Sequence, residues 1–401
     1  MAADSREGAS QISRSPEAVG PMWVCVILAV FPSSSVALAQ AQPDSRILRL
    51  IENVEANEQL YGSIEVVSHV TYRLDETTSL KTSKHLTSRE TTVRSVKQGR
   101  LFYLKEAGKE TQVSGATLER STIQGYDGEM TRVVVDNRVV TDPATKTVPI
   151  ANLQHGRTET TQLFAPHTWL LSRSGARFLP LSIWLRGGKD LEKHPGGFRY
   201  HDRIQKASIE KEEVVEGLPT IKLRCETWNR GERPRLNTLR YLWLAPERNY
   251  LPVKTEAYFP QISLQLPGEV GHVKDFREIV PGVWLPFERV VTVYDSDKIR
   301  EEKKLVFHNE DEGRIQKVKL DPQYDISLFR DIPIPDGARV HEIKEGKVVR
   351  SYKQGEDKED EELRQGSSGT RWLITIVAVI ALLTGCGFAY LRLQGTRKEH
   401  G

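Results

Sequence analysis

Leu239-Arg-Tyr-Leu-Trp-Leu244, Tyr250-Leu-Pro-Val-Lys-Thr-Glu-Ala-Tyr258 and Val283-Trp-Leu-Pro-Phe-Glu-Arg-Val-Val-Thr-Val-Tyr294 follow one another and decide how the chain folds. Each is rich in aromatic and β-branched residues, the composition that suits a pleated, half-buried surface. Ala245-Pro-Glu-Arg-Asn249 and Pro281-Gly282 are residues that turn the chain. Successive side chains of a strand point to opposite faces, so Tyr241 and Trp243 face one way and Leu242 and Leu244 the other. Both faces are therefore apolar and both need a cover. Helices packed inside a curved sheet suit one face, and neighbouring protein or a bound apolar ligand suits the other.

Upstream, strands are expected at 64–74, 91–97, 100–105 and 118–125, with a hairpin over 131–140 turning at Asp136-Asn137. Gln98-Gly99 and Asp136-Asn137 tolerate positive φ, which makes meander hairpins rather than crossovers. After a polar loop at His194-Pro-Gly-Gly197, strands resume at 207–215 and 218–227, joined at Glu216-Gly217, and later at 303–308 and 315–320. The segment 44–60 reads as an amphipathic helix, capped by Asp44 or Ser45, whose stripe is Ile47, Leu50, Ile51 and Val54. Between Gln162 and Arg186, Phe164-Ala-Pro-His-Thr-Trp-Leu-Leu171 and Leu179-Pro-Leu-Ser-Ile-Trp-Leu185 read as short helical turns interrupted by proline, an apolar plug for a curved sheet. The class is β-rich α+β with a mostly sequential antiparallel sheet, and no internal repeat is present.

The chain has 401 residues, a net charge of +3 and 28% charged residues with both signs interspersed. A nucleic-acid binder would cluster its bases on one face, so that class is set aside. Cys25 and Cys386 lie in apolar terminal segments, which leaves Cys225 alone in the middle as a small buried hydrophobe. Met22 to Phe31 has the length of a signal-peptide apolar region, with Ala37-Leu-Ala39 or Ala39-Gln-Ala41 before a cleavage point, so 1–39 is expected to be a signal peptide. An uncleaved anchor is the alternative. Trp372 to Leu391 runs about twenty residues without a charge, enough to cross a bilayer. Trp372 and Tyr390 stand where interfacial aromatics belong, and Arg392, Arg397 and Lys398 hold the tail in the cytoplasm. The expected organisation is a folded domain over 40–349, a flexible polar linker over 350–370, a transmembrane helix over 371–391 and a tail over 392–401.

The run YLWLAPERNYLPVKTEAYF over 241–259, then VKDFREIVPGVWLPFERVVTVYD over 273–295, resembles the outer-membrane lipoprotein-sorting proteins and their LolA- and RseB-like periplasmic relatives. Asp325-Ile-Ser-Leu-Phe-Arg-Asp-Ile-Pro-Ile-Pro-Asp-Gly-Ala-Arg-Val340 is similar to that family's closing segment. The resemblance spans 47–340 by order of elements and the last third by recognisable words. It implies a half-open β-barrel with helices on its concave face, facing the periplasm of a Gram-negative-type bacterium. It also implies that a lipid, or the lipid of an acylated protein, is held in a non-catalytic cavity. The anchor departs from the soluble carriers of that family and suits a handover point or a sensor contacting a membrane-bound regulator, the second reading. An envelope hydrolase is the third.

The search for chemistry finds no nucleophile elbow, phosphate-binding loop, dinucleotide fingerprint or zinc-protease motif. No catalytic residue, cofactor or metal is expected, and His194 and His201 fit no metal spacing. The one constellation suited to a ligand is aromatic: Tyr241, Trp243, Tyr258, Trp284 and Phe287, joined by Trp169 and Trp184 from the plug. These line a hydrophobic cavity or are core. Arg230, Arg233 and Arg235, with Arg240 nearby, suit lipid headgroups or an acidic partner, against the alternative of solvated loop charges.

Overall fold

Two meanders of strands meet edge to edge in the computed structural model, which describes residues 45–75, 86–112, 114–140, 147–158, 163–171, 175–194, 203–231 and 233–356. The first meander comprises β1 Ser63–Leu74, β2 Leu86–Gln98, β3 Leu101–Gln112, β4 Thr117–Tyr126, β5 Met130–Val139 and β6 Ile150–His155. The second comprises β7 Arg203–Val215, β8 Leu218–Asn229, β9 Arg235–Ala245, β10 Leu251–Tyr258, β11 Glu269–Val280, β12 Val283–Tyr294 and β13 Phe307–Leu320. β13 pairs with β1 and fuses the two. β14 Arg339–Lys344 and β15 Lys347–Lys353 then add beyond β6. The result is one 15-stranded sheet, curved and unclosed, with β15 and β7 at its edges. β6 pairs parallel with β14, a departure from the antiparallel sheet expected.

The helix α1 Ser45–Glu58 buries the four residues of the expected stripe, Ile47, Leu50, Ile51 and Val54. They pack with Trp184 and Leu185 of α2 Leu181–Arg186, and with Leu223, Leu242 and Leu244 of β8 and β9. Burying this face stabilises by about 25 cal/mol per Å² of apolar surface removed from water. Cys225 lies in the same cluster, where burial pushes its thiol up to about 12 and leaves it a hydrophobe. Between β6 and β7 the described residues 163–171 and 175–194 form turns Pro166–Leu171 and Gly175–Phe178, then α2 and α3 Gly188–Lys193. They thus have the helical character expected of them, and they lie on the same face as α1.

Several expectations fail for identifiable reasons. No hairpin turns at Asp136-Asn137, because both residues sit in the ladder of β5, opposite Ser121 and Arg120. The turn falls earlier, where Asp127 Oδ1 accepts Glu129 N at 2.9 Å and Met130 N at 2.8 Å, and Gly128 takes φ 103°. Of the strand expected at 303–308 only 307–308 forms, continuing through 315–320 as the single strand β13, while 303–306 are loop after the helical turn Ser296–Glu302. The acidic run 310–312 of β13 reads as a loop in sequence, yet Arg73 and Arg289 neutralise it from neighbouring strands. β15 carries the sheet to Lys353, past residue 349. The signal segment, the transmembrane segment and His201 lie outside the described residues. Among the described residues no helix is long and apolar enough to cross a membrane.

Arg240 points to the helix-bearing face and pairs with Glu269 at 2.7 Å, both nearly solvent-free, and reaches Thr255 Oγ1 at 3.3 Å. Removing one partner of such a pair strands a buried charge at about 3–5 kcal/mol, whereas replacing both by apolar groups is often neutral or stabilising. Arg240→Ala should therefore lower the denaturation midpoint strongly, and Arg240→Met with Glu269→Leu should restore most of it. Thermal scans of the three chains check this.

Candidate functional site

Strand register brings six residues into one row on the helix-bearing face: Arg120 opposite Gly108, Gly108 opposite Thr91, Thr91 opposite Val70, Val70 opposite Gly313, and Gly313 opposite Arg289. Between the two arginines the row holds only small or β-branched residues, so the sheet surface dips there. A Cβ on Gly313 would stand 2.9 Å from the Trp169 ring, so glycine is what lets that ring lie against β13. Above the dip the turn Pro166–Leu171 stops short of β2–β4, and a cavity of about 300 Å³ remains.

The cavity has two kinds of wall. Val70, Val93, Leu163, Phe164 and Trp169 form an apolar side, with Phe164 and Trp169 edge to face at 5.4 Å. Phe164 N donates to Ser95 Oγ at 3.1 Å, which ties the plug to β2. On the other side Arg89, Arg120 and Arg177 surround Glu106. Burial pushes the Glu106 carboxyl up, and the three guanidiniums oppose that rise. Glu110 lies 3.8 Å from Arg89 and 3.9 Å from Arg120. Arg289 pairs with Asp311 at 3.0 Å and lies 5.1 Å over the Trp169 ring. An amphiphile with a negative end suits these walls: guanidiniums for its head and aromatic and aliphatic groups for its tail.

A hydrogen-bonded hub fixes the plug. Asn249, in the left-handed region at φ 55°, accepts from Trp284 N at 2.8 Å and from Tyr61 Oη at 3.3 Å through its side-chain oxygen. Its side-chain nitrogen donates to Asn57 Oδ1 at 3.0 Å and to the Gly282 carbonyl at 2.9 Å. Its own carbonyl lies 2.8 Å from His167 Nε2, so that nitrogen carries the proton, since a carbonyl only accepts. Glu58, at the end of α1, receives Leu181 N and Ser182 Oγ at 2.5 Å each and so anchors the start of α2. Burial raises the Glu58 carboxyl, and those two hydrogen bonds oppose the rise.

The structure divides the seven aromatic residues instead of gathering them. Trp169 lines the cavity. Phe287 packs beside it with Tyr61 and Leu285, and Trp184 is buried with α1. Tyr241, Trp243 and Tyr258 stand on the opposite face of the sheet, because the alternation that sends Leu242 and Leu244 to the helices sends them away. There Tyr241 touches Trp243 and Tyr258 at ring distances of 6.2 and 5.7 Å. Lys222 lies 4.1 Å over the Tyr241 ring, and Lys254 lies 4.9 Å over Trp243. Trp243 Nε1 donates to Glu213 at 2.7 Å. Lysine stems and ion pairs thus cover that face. Arg248 stacks 3.5 Å over Trp284 at the 246–250 turn. Of the arginines, Arg230 is paired with Glu192, while Arg233 and Arg235 are exposed at the start of β9.

Sequence reasoning does not single out Arg89, Glu106, Glu110, Arg120, Arg289 or Asp311, because on their strands they alternate like any solvated charge, nor Arg177, which sits in the turn Gly175–Phe178. The available signal was Gly108 and Gly313, glycines inside strand patterns, which mark a close approach. Among the described residues no group of three or more His, Cys, Asp and Glu side chains is placed to hold a metal ion.

No family model and no curated protein matches the chain. Among solved structures, a domain described as an outer membrane lipoprotein-sorting protein from Vibrio parahaemolyticus is 11% identical, with a TM-score of 0.34, over 71% of this chain and 96% of that one. A β-barrel-like protein of a domain family of unknown function from Brucella abortus is 8% identical, with a TM-score of 0.23, over 66% of this chain and 98% of that one. Likeness at these scores carries no argument about ligand or activity.

Burial lowers the His167 imidazole to about 4, the Asn249 carbonyl opposing. The free residue titrates near 6.5, so between about pH 6.5 and 4 the unfolded chain binds the proton that the folded chain refuses. The stability from keeping His167 neutral, about 3 kcal/mol, is present above pH 6.5 and is lost as the pH falls to about 4. Denaturant titrations across this range should show that loss in the native chain and a shallower one in His167→Gln, which keeps a donor to Asn249 without titrating.

Proposed function

We propose that this chain is a membrane-tethered periplasmic binding domain that holds the end of an anionic amphiphile, a lipid or the lipid of an acylated protein, in the cavity between β1–β4 and the turn Pro166–Leu171. The observation that carries the reading is the two-sided lining: Leu163, Phe164 and Trp169 at one end, and Arg89, Arg120 and Arg177 at the other. At about 300 Å³ the space equals about ten waters. It suits a headgroup with a short acyl stretch rather than a whole diacyl lipid. Each buried methylene contributes about 0.8 kcal/mol before the ordering of the ligand is set against it. The tether is the apolar segment 371–391, and the order of the late hairpins supports the periplasmic setting by resemblance alone.

A second reading is an interaction module for a membrane-bound partner. It is favoured by β15, an edge strand of the sheet among the described residues, where Val348 and Val349 are 58% and 60% exposed.

Full-length chain purified in detergent should retain one anionic amphiphile, detected by native mass spectrometry and lipid extraction. Arg89→Glu with Arg120→Glu changes two partly exposed arginines and should lower lysophosphatidylglycerol affinity by about tenfold or more, the equivalent of 1.4 kcal/mol. Tyr241→Ser, on the other face, should leave it unchanged. Equal affinity in all three chains, or an empty native chain that also refuses the added lipid, rejects the reading.

A further inference from the structure

Three loops lie at one end of the sheet because the strands they join are antiparallel neighbours: 230–234 between β8 and β9, 259–268 between β10 and β11, and 295–306 between β12 and β13. A backbone bond from Tyr294 N to the Gly268 carbonyl at 3.0 Å ties the last two together at that end, and one from Asp295 N to the Val306 carbonyl at 2.9 Å closes the base of the loop 295–306. From β9 to β13 this rim spans about 19 Å, four strand spacings.

Its chemistry combines exposed apolar side chains with bases. Leu305, Val306 and Phe307 are exposed in succession by 44%, 37% and 40%, and Leu264 on the neighbouring loop by 54%. Scattered exposed apolar residues are ordinary, whereas a run of three with a neighbour at the same end is a patch. The loop is well built, so the exposure is not fraying. Asp295 caps the helix α4 Ser296–Glu302 by accepting from Asp297 N and Lys298 N, and Ile299 anchors it in the core. Lys303, in the left-handed region at φ 55°, then turns the chain outward. Bases flank the patch: Lys303 and Lys304 precede it, and Arg233 and Arg235 stand at the β9 side. The acids of the same loop have local partners, Asp297 with Arg300 at 3.3 Å and Glu302 with Lys298 and with Lys304 at 3.8 Å. Glu301 is the remaining exposed acid of α4.

We infer that this rim docks onto an anionic lipid bilayer, Leu264, Leu305 and Phe307 entering the interface while Lys303, Lys304, Arg233 and Arg235 meet the headgroups. Exposed apolar tips flanked by bases on a rim are what a flat anionic interface selects. Arg89, Glu110 and Arg120 lie in the halves of β2, β3 and β4 nearer the same end, so docking would turn the charged wall of the cavity toward the bilayer. The inference rests on ladder geometry and surface chemistry and holds whether or not the cavity takes a ligand.

The test is hydrogen exchange on full-length chain bound to nanodiscs of phosphatidylcholine alone and of equal parts phosphatidylcholine and phosphatidylglycerol. Both discs offer residues 371–391 a bilayer, so the difference between them isolates the rim. Amides of 303–307 and 261–266 should exchange at least about tenfold more slowly on the anionic disc. Leu305→Ser with Phe307→Ser, and separately Arg233→Glu with Arg235→Glu and Lys303→Glu, should abolish the difference without moving the melting midpoint, since all five side chains are exposed. Equal exchange on both discs, or slowing that survives both sets of changes, overturns the inference. Loss of cavity binding in Arg89→Glu with Arg120→Glu leaves this result untouched, so the two readings fail separately.

Discussion

The ladder between β1 and β13 is the constraint on which the rest depends. It runs from Ile64 opposite Leu320 to Leu74 opposite Asn309 and closes a loop that contains nearly the whole domain. Forming it late in the chain is entropically demanding, since contacts of such sequence separation reward the fold only after the intervening loop is closed. What holds it is chemistry on both faces. Ile64 and Val66 share an apolar cluster with Leu285 and Ile315 beneath the plug, and Arg73 reaches Glu310 and Glu312 on the partner strand. Without this seam there would be two unrelated meanders. With it, Arg120 and Arg289 stand in one row.

That row explains why a cavity forms at its place. Helices and turns of 163–194 cover β8 to β12 densely, with Leu170 against Val273 and Val291 and Trp184 against α1. Over β2 to β4 the cover stops, and the small residues of the row leave the gap empty. The hub at Asn249 and the Glu58 anchor hold the plug at both of its ends, so the gap is a fixed feature of the packing. Its charged groups largely face one another, which is how buried charges are tolerated. In the proposed reading a ligand head would have to compete with Glu106 and Glu110 for the arginines.

The two proposed surfaces sit on different parts of the sheet and use different physics. The cavity relies on an apolar wall beside clustered guanidiniums, of which Arg289 is buried and Arg89 and Arg120 are partly exposed. The rim relies on exposed apolar tips with bases around them, an arrangement that is weak one residue at a time and effective as a set. The two proposals are compatible, since the one concerns the cavity and the other the rim.

Local pattern in the sequence determined the parts whose cause is local. The stripe of α1, the hairpin turns at Gln98-Gly99 and Glu216-Gly217, the central hairpins and the helical nature of 163–194 were all legible, because periodicity and turn residues act within a few positions. The opposite facing of Tyr241 and Leu242 was legible for the same reason. Tertiary structure alone decided the rest. Asp136 and Asn137 look like a turn until β4 offers them ladder partners, and the acids of β13 look like a loop until arginines on β1 and β12 neutralise them. The aromatic residues that share one composition fall on two faces, since alternation separates what composition groups. The cavity's arginines and carboxylates come from strands far apart in the chain, and only the register of five ladders sets them side by side. No spacing within a single strand carries that information.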